Sequence, residues 1–184
     1  CGVRALRTGL TVEDLHPVKE LLAEALFHRI PAGVGSTGKV HLGRQEMDAM
    51  LAGGAKWAVG KGYGAHEDLE FIEHGGCHPG ADPGVVSARA KARGTGQLGT
   101  LGSGNHFLEL QEVDQIFDED AAEAFGLAEG QLTVMIHCGS RGLGHQVCTD
   151  HVARMDGLVR SLGIEVPDRQ LACVPLGHEA ALRY

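Results

Sequence analysis

The sequence has no apolar run of eighteen or more residues, and its start carries neither the charged-then-apolar profile of a secretory signal nor a transit peptide. A membrane-spanning helix and an exported chain are therefore not expected, and a soluble cytoplasmic protein is. C-x-x-C pairs are missing too. The five cysteines, Cys1, Cys77, Cys138, Cys148 and Cys173, are odd in number and widely scattered, which argues against a disulfide framework and a zinc ribbon and leaves most of them as buried thiols. Excess positive charge is absent: the formal net charge of −8 has the wrong sign for holding nucleic acid by bulk attraction, so any RNA contact must be local. Neither an internal repeat nor a clean linker divides the 184 residues, which read as one undivided piece of a globular protein. No initiator methionine precedes Cys1, and no helix-closing glycine or proline follows Ala180 to Tyr184. The expectation is a fragment cut at both ends. A first-residue cysteine also fits the product of intein excision.

Two things are abundant. Hydrophobic residues make up 43% of the chain, enough for a real core, and the 28 glycines are roughly twice the average usage, which predicts tight turns and close backbone approaches. The pattern predicts a strand over Val3 to Leu6. A capping box at Thr11 to Asp14 and Pro17 then open a helix whose buried face is Val18, Leu21, Leu22, Ala25 and Leu26. Further helices are predicted over 47–59, with Trp57 as a core anchor, over 67–74, over 85–93 with a basic face of Arg89, Lys91 and Arg93, over 118–124 and over 144–162. Strands are predicted over 105–113 and 132–137. This alternation gives a mixed α/β architecture.

Two glycine patterns match nucleotide motifs but sit in the wrong context. Gly33-Val-Gly-Ser-Thr-Gly-Lys39 has the spacing of a phosphate loop, yet Val40 stands where a magnesium-holding hydroxyl is needed and no strand precedes it. Gly94-Thr-Gly-Gln-Leu-Gly99 has the dinucleotide spacing but follows a helix and runs towards a strand, the reverse of the required order.

The informative stretches are Gly99-Thr-Leu-Gly-Ser-Gly-Asn-His-Phe-Leu-Glu109 and His137-Cys-Gly-Ser-Arg-Gly-Leu-Gly-His-Gln146. Each sets an imidazole, His106 or His137, beside glycines and an apolar strand, where a neutral ring can be held towards a metal with Asn105, Glu109 or His145 as supporting partners. The turn after His137, with a helix expected to start near His145, offers backbone N–H groups to an anion, and Arg141 adds a forked donor. An ordinary strand-to-helix turn with a solvated Arg explains the same residues equally well. Two imidazoles do not define a metal site; Cys1 is a candidate third donor, or simply a terminal residue left by processing. The remaining eight histidines, His145 aside, read as surface or packing residues.

These residues resemble the RNA-splicing ligases of the RtcB type, over essentially the whole chain. The likeness runs through Cys1-Gly-Val, Ile30-Pro-Ala-Gly-Val-Gly35, Ala55-Lys-Trp-Ala-Val59, Gly62-Tyr-Gly64, Gly80-Ala-Asp-Pro83 and Arg89-Ala-Lys91, the two long motifs above, and Asp168-Arg-Gln-Leu-Ala-Cys173. The resemblance implies a partial RtcB-like catalytic domain spanning 1–184. It implies GTP-dependent joining of RNA 3′-phosphate or 2′,3′-cyclic phosphate ends to 5′-hydroxyl ends, in tRNA splicing or RNA repair. By the same carry-over Cys1, His106 and His137 are metal ligands for two manganese ions, with the Cys1 thiolate bridging. Asn105, Phe107 and Glu109 line the guanosine nucleotide pocket, and Arg141 contacts RNA or nucleotide phosphate. Thiolate is a soft partner for manganese, so zinc or cobalt would suit the same ligands. An aspartate ligand expected just before Cys1, a further histidine ligand, the guanylylated histidine and a lysine near the guanine lie outside these residues. The isolated piece is therefore expected to be inactive. The implied partners are tRNA halves or broken RNA, GTP and an archease-type helper protein, with no membrane. A non-catalytic RNA- or nucleotide-binding module and a metal-dependent phosphoesterase are the competing readings.

Overall fold

A computed structural model describes residues 1–184 apart from the side chain of Arg169. In chain order the elements are β1 (Gly2–Thr11), α1 (Val12–Leu15), α2 (Lys19–Arg29), α3 (Arg44–Gly60), α4 (Ala88–Gly94), β2 (Phe107–Glu112), α5 (Glu119–Phe125), β3 (Gln131–Cys138), α6 (Arg141–Ser161) and α7 (Glu179–Leu182), with short 3₁₀ turns between several of them. This is the mixed α/β architecture that the sequence predicts.

Two compact units make up the chain. One comprises residues 1–40 and 97–141, the other 41–96 and 142–184. Each unit draws on two distant stretches, so its boundaries carry no linker composition, and for that reason the division is invisible in the sequence.

The first unit is built on an antiparallel sheet of order β1-β3-β2. In its register Val3 and Phe107 both oppose His137, and Gly2 opposes Cys138. Residues opposite one another across an antiparallel pair share a face, and successive residues alternate. His137, Phe107 and Val3 therefore share one face, while Cys138 points to the other. Strand β1 extends well past the predicted Leu6 before its register shifts between Arg7 and Thr11. The capping reading at Thr11 holds: the Thr11 backbone N–H and hydroxyl both donate to Asp14 Oδ2, at 2.8 and 3.1 Å.

Helix α2 forms, but its expected buried face is not buried. Leu21 is 69% exposed and Val18 43%, while Leu22, Ala25 and Leu26 are half-buried. Leu26 and Phe27 instead border an open apolar hollow of about 500 Å³, also lined by Ile30, Leu101 and Leu108. Periodicity sets which residues share a helix face; it does not supply the surface that covers it.

In the second unit α3 covers the predicted 47–59 helix, with Met47 fully buried. Trp57 is half-buried and lies under the Lys61 ammonium, 5.6 Å from the ring centre, rather than anchoring the core. The predicted 67–74 helix resolves into two 3₁₀ turns, His66–Phe71 and Glu73–Gly76. Helix α4 is capped by Ser87, whose hydroxyl accepts from the Ala90 N–H at 3.1 Å. Its basic face is not an open patch. Lys91 pairs with Asp48 at 2.7 Å and Arg93, though exposed like Arg89, donates to Gln146 at 3.0 Å. Both decoy glycine patterns lack the strand-turn-helix context here: 33–39 is irregular chain leading to no immediate helix, and 94–99 is the end of α4 followed by turns.

All five cysteines are free thiols. Cys1, Cys148 and Cys173 are exposed, and Cys77 and Cys138 half-buried, so the expectation of mostly buried thiols does not hold. Among the described residues no helix is long and apolar enough to cross a membrane.

Candidate functional site

The site is assembled at one end of the sheet in the first unit. Antiparallel pairing brings the start of β1, the start of β2 and the end of β3 together, and these carry Cys1, Asn105 to Phe107, and His137 to Cys138. The Cys1 Sγ lies 3.6 Å from His106 Nε2, and the Asn105 side-chain amide donates to the same sulfur at 3.7 Å. The other side of the His106 ring meets a second thiol, with Cys138 Sγ 3.8 Å from Nδ1. Two glycines make room for the imidazole. A Cβ on Gly102 would overlap the His106 ring, and one on Gly139 would stand 3.4 Å from Nε2.

His137 occupies the neighbouring position on β3 and therefore the other sheet face. Its ring lies 4.9 Å, centre to centre, from Phe107. Phe107 and Glu109 follow it along that face by alternation on β2, and Glu109 accepts from the Gln111 side-chain amide at 2.9 Å. The expected metal ligands are thus brought together in part. Cys1 and His106 meet, while His137 lies on the other sheet face with its ring against Phe107. Among the described residues no three His, Cys, Asp or Glu side chains converge on one point.

Helix α6 begins at Arg141, earlier than the expected start near His145, so Gly142 and Gly144 lie inside its first turn rather than in an open loop. Arg141 has a left-handed backbone, φ 53°, unusual for a residue with a Cβ. Its guanidinium makes three internal hydrogen bonds. Nε donates to Thr100 Oγ1 at 3.1 Å, and Nη2 donates to the Gly33 carbonyl at 2.7 Å and to Ser36 Oγ at 3.3 Å. The 31–36 loop is tied to the His106 loop by backbone as well: Leu101 N–H donates to the Pro31 carbonyl at 2.9 Å, and Gly33 N–H to the Gly102 carbonyl at 3.0 Å. In the fold the Arg141 side chain is a clasp between two glycine-rich loops rather than a solvated side chain.

Cys138, Thr100 and Gly102 were not singled out in the sequence. Cys138 was legible only as the residue after His137, and its meeting with His106 depends on the β2–β3 register, which no local pattern specifies.

A thiol and an imidazole side by side, seated between glycines, form a soft and borderline donor pair of the kind that suits a divalent transition metal. The donor chemistry therefore fits a metal held in part by Cys1 and His106. The chain belongs to the RtcB family: the family described as tRNA-splicing ligase RtcB matches residues 1–184. It is 55% identical over its whole length to a tRNA-splicing ligase RtcB of Pyrococcus furiosus and 53% identical to one of Archaeoglobus fulgidus. The Pyrobaculum aerophilum protein of the same description is 54% identical over 185 residues. The chain spans 19% of the first relative's length and 38% of the other two.

Proposed function

We propose that the polypeptide containing these residues is an RNA ligase, joining 3′-phosphate or 2′,3′-cyclic phosphate ends to 5′-hydroxyl ends with GTP and manganese. The observation that carries this reading is the pairing of Cys1 with His106 inside a chain that matches the family from end to end. In this reading Cys1, His106 and His137 hold metal, two manganese ions being held in the complete protein. Asn105, Phe107 and Glu109 face the nucleotide, and Arg141 contacts RNA or nucleotide phosphate. A bound divalent cation would polarise phosphate oxygens and offset the charge that develops on them. This chain's own residues supply the cradle: Gly102 and Gly139 admit the imidazole, and the Asn105 amide steadies the Cys1 sulfur. The guanylylated histidine belongs to the rest of the polypeptide, so the 184 residues alone do not self-guanylylate or ligate. The protein acts in the cytoplasm on tRNA halves or broken RNA, assisted by an archease-type helper.

The test is to incubate the full-length protein with Mn²⁺, α-labelled GTP and RNA ends of the stated chemistry. The expected result is covalent label on the protein and a joined RNA, both lost in Cys1→Ala and His106→Ala. Nucleotide retained without covalent label would instead identify a binding module. Opening of the cyclic phosphate without GTP would identify a phosphoesterase.

A further inference from the structure

The His106 imidazole has a sulfur on each side, Cys1 at Nε2 and Cys138 at Nδ1. A neutral imidazole carries one N–H and one lone pair, and the lone pair alone binds a cation, so the position of a single proton decides which way the ring can act.

The surroundings of Cys138 make that choice. Its Sγ lies 3.7 Å from the Thr100 carbonyl oxygen and 3.9 Å from that of Gly139. A carbonyl oxygen accepts and never donates, so a Cys138 S–H given to the Thr100 oxygen, the nearest of these acceptors, leaves the sulfur to accept from the ring. The Thr100 carbonyl is itself fixed. The Thr100 hydroxyl donates to Gln97 O at 2.6 Å and accepts from Arg141 Nε, and the next residue, Leu101, is tied by its backbone to Pro31. The ring also has little freedom to turn, because the space beside it exists only while residue 102 has no side chain.

We propose that Cys138 is a positioning residue: it accepts a hydrogen bond from Nδ1–H of His106 and so fixes the tautomer whose Nε2 lone pair is presented beside Cys1. The relay runs His106 Nδ1–H to Cys138 S–H to Thr100 O, with Arg141 bracing its far end. Supporting groups of this kind, which take the second ring proton of a ligating histidine, orient the ring and raise its basicity. The consequence for metal binding rests on His106 being a ligand; the tautomer does not.

The experiment uses the full-length protein, metal-free, with isotope-labelled histidine, reading the ring nitrogen shifts of His106 as assigned by their loss in His106→Gln. The wild type should carry its proton on Nδ1. Cys138→Ser, whose hydroxyl can accept from the ring and donate to Thr100 O, should keep it there. Cys138→Val should let the proton redistribute and should weaken Mn²⁺ binding, measured by calorimetry, roughly ten- to a hundredfold. Cys138→Ala serves if the valine variant does not fold. A wild-type His106 protonated on Nε2, or a Val variant with unchanged tautomer and Mn²⁺ affinity, would overturn the proposal. If His106→Gln leaves Mn²⁺ affinity untouched, the ligand reading of His106 fails, and the tautomer measurement still decides the role of Cys138.

Discussion

The guanidinium of Arg141 donates to the carbonyl of Gly33 at 2.7 Å, across 108 positions of sequence. With the bonds to Thr100 and Ser36 it locks one glycine-rich loop against another, and a lysine at 141 would keep the charge but lose the fork. Arg141→Lys should destabilise the full-length protein by about 1–3 kcal/mol, through polar groups left unpaired, and should speed protease cleavage within 33–38. Urea denaturation and limited proteolysis read this out. Unchanged midpoints would mean the clasp contributes nothing to loop order.

Gly102 is the residue against which the His106 ring lies. A methyl group there would come 2.8 Å from the His106 Cβ and closer still to the ring, so Gly102→Ala has to push the imidazole away from Cys1. With His106 in its proposed role as a ligand, Mn²⁺ affinity in the full-length protein should fall at least tenfold, since displacing a ligand costs at least as much as losing a supporting group. Circular dichroism should remain close to wild type. Wild-type calorimetry on this variant would show that the ring can be rehoused.

Gly54 puts a kink into α3 with φ 55° and ψ −139°, a conformation closed to residues bearing a Cβ. An added Cβ would also strike the Gly76 carbonyl oxygen. Gly54→Ala should therefore destabilise by about 1–3 kcal/mol, whereas alanine at an ordinary helical glycine stabilises by reducing unfolded-state entropy. The sign of the shift in thermal midpoint settles whether the kink is enforced.

His151 is 5% exposed, and burial, the largest influence, holds its imidazole below the usual histidine range, with Arg154 acting in the same direction. The unfolded chain then takes up this proton more readily than the folded one. The contribution to stability is complete above the unfolded value of 6.5 and is lost progressively as pH falls from there towards the folded value. Urea midpoints of the full-length protein should decline between about pH 7 and pH 5. His151→Gln should flatten that decline, and a parallel decline in both proteins would assign it to other groups.

Most of the helices and strands were legible because periodicity and caps are local, although 67–74 folds as 3₁₀ turns. The capping box read at Thr11 is there, the Thr11 N–H donating to Asp14 Oδ2 at 2.8 Å. The two imidazole-glycine motifs were legible for a related reason: glycine beside histidine is a pattern within a few residues, and family resemblance attaches to such runs. The exposure of Leu21 and the pairing of Lys91 with Asp48 were not, because a face or a charge acquires its partner from another part of the chain.

Composition and local spacing determined by themselves the mixed α/β architecture, and the two long glycine-histidine motifs carried the resemblance to the RtcB family that the family match bears out. Only the tertiary structure decided that Cys1 meets His106, that Cys138 stands on the ring's other nitrogen, and that Arg141 clasps two loops. Those contacts depend on the register of three strands and on the closure of long loops. Register is set by the summed packing of whole faces, and a shift of one residue would send Cys138 to the opposite side of the sheet.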